Sequence, residues 1–159
     1  MLVLKKNQDM YSILLSSHNL LRWAFLAVAL IAIFKAINGL RGNNPFTPGD
    51  KKLGGILVGL AHTQLLIGII LWFISPAVQG ALAKGMALAM KDPISRLQLM
   101  EHPLTMIIAV VLIQIGRIKS KKAYADVDKH KRSLIYYGIA LVLILSRIPW
   151  GSPMFRFDF

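Results

Sequence analysis

The sequence predicts an all-α membrane protein: a four-transmembrane-helix up-down bundle, with a short interfacial helix between the second and third spans. Three observations carry that expectation. The 159 residues are 55% hydrophobic and 16% charged, and the mean hydropathy is +0.57, well above an ordinary soluble domain. The apolar residues gather in stretches of about 20, the length that crosses a ~30 Å hydrocarbon layer. The basic residues, which give a formal net charge of +12, sit at the ends of those stretches. That placement fits topology signals and anionic lipid, and argues against nucleic acid as a partner.

The length suits a single membrane domain, residues 1–159. There is no cysteine, so disulfides, thiolate metal sites, iron–sulfur clusters and c-type haem attachment are excluded. The opening MLVLKKNQDMYS does not read as a secretory signal, because no small-residue cleavage site follows the apolar run after it.

The first span is expected over about residues 10–39. Lys35, near its end, can snorkel to the headgroups. Gly39, Gly42, Asn43, Asn44, Pro45, Pro48 and Gly49 then read as a breaker-rich loop. The second span, about 53–75, carries Gly55 and Gly59 in GxxxG spacing, which lets helices approach closely in lipid. Trp72 and Phe73 mark its far interface, and Ser75-Pro76 stops it. Residues 77–94, AVQGALAKGMALAMKDPI, are too short and interrupted to span, and read as the interfacial helix, ended by Pro93. The third span, about 95–118, holds Glu101 and His102 in its first turns. A basic loop over 119–132 follows, with His130 expected to be solvated within it. The fourth span, about 133–150, is short, and the tail GSPMFRFDF is expected at the interface.

The loops after spans one and three carry Lys35, Arg41, Lys51, Lys52, Arg117, Lys119, Lys121, Lys122, Lys129, Lys131 and Arg132. The opposite side has Lys5, Lys6, Lys84, Lys91, Arg96, Arg147 and Arg156. The positive-inside rule therefore places both termini outside, which in a bacterium means the periplasmic side of the inner membrane.

Ionisable groups inside a membrane are costly and mark functional sites. Three apolar segments carry a histidine each: His18, His62 and His102. Counting at ~1.5 Å per residue puts His18 and His102 at one depth, roughly 5–8 Å below the outer surface, with His62 about 7–10 Å deeper. Spans one and three run in the same direction and are diagonal in an up-down bundle. Two neutral imidazoles at one level on diagonal helices can be the axial metal ligands of one b-type haem. His62 ranks second as a ligand because of its depth. Arg22, four residues after His18, shares its helix face, and Arg147 lies near the outer end of span four. Both suit the haem propionates, which want guanidinium partners. Glu101 points about 100° away from His102 around the helix. It is expected to pair with an arginine or carry protons rather than share a ligand site. Thr63 and Gln64 could hydrogen-bond a quinone carbonyl or orient the His62 ring. A zinc or copper site from His18, Glu101 and His102 is disfavoured, because neighbouring residues do not face one ion as an i, i+4 pair does. Met100 and Met106 read as packing.

HNLLRW near the start, HTQLLIGIILWF in the second span, EHPLTMIIAVVLIQIGR in the third and the closing SRIPW are similar to a family of small four-helix bacterial membrane proteins often labelled cytochrome b. The resemblance covers nearly the whole chain. It implies haem and electron transfer, and places His18, Arg22, His62, Gln64, Glu101, His102 and Arg147 among the signature positions. Four-helix b-type cytochromes with two haems carry more paired histidines than the three intramembrane ones here.

The expected function is thus an electron carrier with one bis-histidine b-type haem near the outer face. It would exchange electrons between the quinone pool and a partner redox protein or membrane subunit. No nucleotide fingerprint or catalytic triad pattern is present, so electron carriage is favoured over substrate chemistry. Two other readings stand beside it. One is a cofactor-free accessory subunit of a larger membrane complex. The other is quinone binding or proton movement through His62, Gln64 and Glu101.

Overall fold

The apolar stretches are helices because lipid offers no partner to a backbone amide or carbonyl, so each must be satisfied within its own segment. The computed structural model describes residues 2–149, with side chains from residue 8 onward. The aromatic tail from Trp150 to Phe159 lies outside the described residues. The chain is all-helical, with no strand among those residues. The helices are α1 (Leu2–Arg41), α2 (Pro48–Ile74), α3 (Pro76–Ala83), α4 (Met86–Lys91), α5 (Pro93–Arg96), α6 (His102–Lys122) and α7 (Asp126–Arg147). A π-helical turn, Leu97–Glu101, joins α5 to α6. Three stretches are long and apolar enough to cross a membrane: Gln8–Arg41, Pro48–Ile74 and Pro93–Lys122.

The structure differs from the sequence reading in four places, three at helix boundaries for local reasons and one in the packing of a histidine. Pro48 and Gly49 begin a helix rather than break one. Thr47 caps α2 with a capping box: its hydroxyl accepts from the Asp50 amide, and Asp50 accepts from the Thr47 amide at 2.8 Å. Pro48 sits where its missing N–H costs nothing. The segment expected as one interfacial helix holds two short helices, α3 and α4, and α5 follows at the start of the Pro93–Lys122 stretch. Gly85, with φ +94, separates α3 from α4. Asp92 accepts the Ser95 amide at 2.8 Å and caps α5, so Pro93 opens a helix instead of ending one. The basic stretch 119–132 is mostly helix, with only residues 123–125 linking α6 to α7. Lysine and arginine are good helix formers. Arg132 donates to the Lys119 carbonyl at 3.0 Å, and Ser133 to the Ser120 hydroxyl at 3.0 Å, binding the two helix ends together.

The fourth difference concerns His130. It is not solvated: it is 2% exposed, packed edge-on to Phe46 with ring centroids 5.0 Å apart, and against Gly39 of α1. Gly39 is inside α1 rather than in a loop. Its lack of a Cβ makes the room that the imidazole occupies.

Each long helix packs against two others: α1 and α6 both contact α2 and α7. α1 and α6 therefore lie opposite one another. The shared core is rich in small residues, Ala29, Ala32, Ala61, Ala109 and Ala140, with Phe25, Leu57, Ile113, Tyr137 and Ile144 filling between them. Small side chains bring helices close where the hydrophobic effect supplies no drive between them. Leu30, Phe34, Leu66, Phe73, Leu104 and Val142 point outward and are exposed. A second cluster, Val78, Ala81, Ala89 and Leu99 with Trp72, ties the short helices to one end of α2 and to the π-helical turn.

Candidate functional site

At that end, between α1, α2 and α6, lies a cavity of about 580 Å³. This is the size range of small-molecule and cofactor sites. His18, Asn19 and Arg22 line it from α1, Gln64 and Gly68 from α2, and His102 and Met106 from α6; Gln98 of the π-helical turn adds a further polar group. Most of the remaining wall is apolar, including Phe25, Leu65, Ile69, Val110, Ile144 and Ile148. Ala77 and Val78 of α3 line it too.

His18 sits where α1 approaches α2. Gln64 donates to the His18 carbonyl at 2.7 Å, crossing between the helices. A Cβ on Gly68 would come within 3.2 Å of the His18 ring, so this glycine leaves the ring its place. Within the protein the His18 Nδ1 is buried without a hydrogen-bond partner.

His102 is fixed differently. Its Nδ1 lies 2.9 Å from the carbonyl oxygen of Arg147, the last residue of α7. A carbonyl only accepts, so Nδ1 carries the hydrogen. In the neutral ring the lone pair is then on Nε2. The same bond satisfies one of the carbonyls that a helix leaves open at its C-terminus.

Arg22 lines the cavity with its Nε buried and unpartnered, and its guanidinium lies 5.5 Å from the Trp23 ring centroid. It makes no ion pair among the described residues. Glu101 turns away from the cavity and pairs with Arg96 at 2.8 Å and with Arg147 at 3.5 Å. The Arg147 side chain is therefore engaged by Glu101 and is not part of the cavity wall. His62 is also apart. It is exposed on α2, donates from Nδ1 to the Val58 carbonyl at 2.9 Å, and does not reach the cavity. Gly68, beside His18, is six residues farther along α2, about 9 Å at helical rise.

Of the seven sequence candidates, the fold thus gathers His18, Arg22, Gln64 and His102 around one space. Glu101 and Arg147 form an ion pair outside it, and His62 stands alone. Tyr11, Asn19, Trp72 and Gln98 also line the cavity and were missed. Asn19, next to His18 in sequence and only 9% exposed, had a signal: a buried amide in an apolar stretch. Among the described residues no group of three or more His, Cys, Asp or Glu side chains could hold a bare metal ion. Compared with family models, curated proteins and solved structures, the chain matches none.

Proposed function

We propose that the protein is a membrane electron carrier that would hold one b-type haem in this cavity, with His18 and His102 as the residues that would ligate it. The observation that carries the reading is the meeting of two imidazoles from opposite helices, α1 and α6, on one apolar cavity of about 580 Å³. Two imidazoles suffice to ligate a haem iron, so no third ligand is needed. The donor set fits in three further respects. The carbonyl of Arg147 fixes the His102 tautomer so that Nε2 is the free nitrogen. Such a hydrogen bond to the second nitrogen is the usual way a protein orients a ligand histidine. Arg22 offers an uncompensated guanidinium at the cavity wall, where an anionic propionate would supply its partner. Most of the remaining wall is apolar, which suits a macrocycle.

When bound, haem supplies one-electron exchange. The residues around it do the rest. His18 and His102 would hold it, Gln64 fixes the backbone of His18, and Arg22 would compensate negative charge. Glu101, already paired with Arg96 and Arg147, adds no uncompensated charge near the site. Electrons would pass between the quinone pool and a partner redox protein or membrane subunit.

The fuller topology belongs to the same proposal. α7 serves as the fourth span, giving an up-down bundle in a bacterial inner membrane with both termini outside. Its first turns, DVDKHKR, are charged and lie at the inner interface. The resemblance of HNLLRW, HTQLLIGIILWF and EHPLTMIIAVVLIQIGR to small four-helix membrane proteins labelled cytochrome b is the sequence support for this reading.

The test is optical. Protein purified in detergent from cells able to make haem should be red, with a Soret band, a low-spin reduced-minus-oxidised spectrum and a haem b pyridine haemochrome. A colourless protein that binds no added haem would refute the reading and favour the cofactor-free accessory subunit.

A further inference from the structure

Pro103 follows His102 inside a continuous helical stretch, and a proline there has no N–H to give. In an α-helix that N–H would bond to the carbonyl four residues back, which is Leu99, and in a π-helical register to the one five back, which is Gln98. Leu99 is 6% exposed, so water does not reach it freely, and an unpaired buried carbonyl is costly. The structure supplies a donor from another helix: the indole Nε1 of Trp72, on α2, lies 3.1 Å from the Leu99 carbonyl oxygen. The backbone around Leu99 is also unusual. Residues Leu97–Glu101 form a π-helical turn, and the His102 amide bonds to the Leu97 carbonyl, five residues back. Such turns change the direction in which the following side chains leave the helix, and they concentrate at functional sites. Here Glu101 leaves toward Arg96 and Arg147, and His102 toward the cavity.

We propose that Trp72 is a positioning residue for His102: its indole N–H replaces the backbone amide that Pro103 lacks, locks the π-helical turn, and so aims the imidazole into the cavity. Trp72 also packs into the cluster of Val78, Ala81, Ala89 and Leu99, so the short helices hold its ring in place. The latch is a property of the backbone and does not need haem. Only its consequence for ligation rests on the proposed function.

The experiment is a double-mutant cycle in the full-length protein in detergent, with Trp72→Phe, Pro103→Ala and the pair. Phenylalanine keeps an aromatic ring and removes the N–H. Alanine at 103 restores a backbone N–H, which in the α-helical register bonds to the Leu99 carbonyl. Hydrogen exchange is read at the amides of residues 97–102, and ring ¹⁵N spectra of histidine-labelled protein report the His102 tautomer. Trp72→Phe should speed exchange in this segment by about tenfold, the equivalent of one net hydrogen bond. It should also blur the fixed Nδ1–H tautomer of His102, leaving His62 and His130 unchanged. Adding Pro103→Ala should restore much of the exchange protection. If Trp72→Phe fails to fold and the double variant folds, the latch is supported; if neither folds, it is overturned. It is also overturned if Trp72→Phe has the same effect in both backgrounds, or leaves the His102 ring signals as they were. A haem-loaded sample separates the two proposals. Coupling in the cycle with no haem bound would retain the latch and refute the cofactor. A low-spin spectrum indifferent to Trp72→Phe would retain the cofactor and refute the positioning role.

Discussion

Replacing Gly39 with alanine should destabilise the protein, and the same change should stabilise it once His130 is gone. A Cβ at Gly39 would run into Cε1, Nε2 and Cδ2 of the His130 ring. The ring cannot swing into solvent, because it is 2% exposed and held by Phe46. Overpacking of this kind costs about 1–3 kcal/mol. Alanine in place of a helical glycine returns about 0.5–1 kcal/mol. The net loss is therefore about 0–2.5 kcal/mol, which for a chain of this length lowers Tm by up to about 10 °C. In a His130→Ala background the obstruction is absent and only the helix term survives. Gly39→Ala should then raise Tm by about 1–4 °C. Thermal unfolding of the four proteins in one detergent, followed by circular dichroism, reads the cycle. The reasoning would fail if Gly39→Ala moved Tm in the same direction in both backgrounds, because nothing would then tie the glycine to the imidazole.

Four other outcomes are expected. His18→Ala and His102→Ala should each lose the low-spin haem signal or the haem, while His62→Ala should keep it; loss in His62→Ala with retention in His18→Ala would show that the ligand pair is wrong. Arg22→Leu should lower haem content or shift its midpoint potential more than Lys35→Leu, whose lysine already pairs with Asp50 at 2.9 Å; equal effects would remove Arg22 from the propionate role. A reporter fused at residue 125 should behave as cytoplasmic, and outside-type activity there would reverse the orientation drawn from the Lys/Arg bias. Hydrogen bonds from Ser95 hold the Asp92 carboxyl below the usual carboxylate range, so its capping of α5 is fully present above about pH 4 and is lost as pH falls through its lowered pKa. The Ser95 amide should lose exchange protection in acid, and Asp92→Asn, which cannot titrate, should abolish that pH dependence.

Much of the fold was legible because hydropathy is a local property. The three stretches that can cross a membrane are visible in the sequence as apolar runs, and period alone puts Arg22 on the face of His18. Counting residues at a fixed rise also gives the expectation that His18 and His102 share a level. Helix ends were read less well, because they depend on caps. Thr47 and Asp50 turn Pro48 and Gly49 from breakers into a helix start, and Asp92 does the same for Pro93. Those caps are short-range motifs, so the signal was present although the breaker residues outweighed it.

What the sequence by itself determined was a helical, membrane-compatible chain with a few costly polar groups in known segments. Only the tertiary structure decided which of those groups meet. His62 and His18 are equally plausible in an apolar string, yet one ring faces outward and the other faces a cavity, because the rotation of α2 about its axis is set by packing against α1 and α6. His130 reads as a charged-loop residue, yet it is buried, because Gly39 of a distant helix leaves a space of its shape. Glu101 and Arg147 are 46 residues apart and neutralise one another only because α6 and α7 pack together. That Pro103 removes one backbone donor from this stretch is implied by covalent structure alone. That Trp72 donates to the Leu99 carbonyl could not be read from the chain, because a side chain 27 residues away reaches it only after α2 and the three short helices that follow have folded.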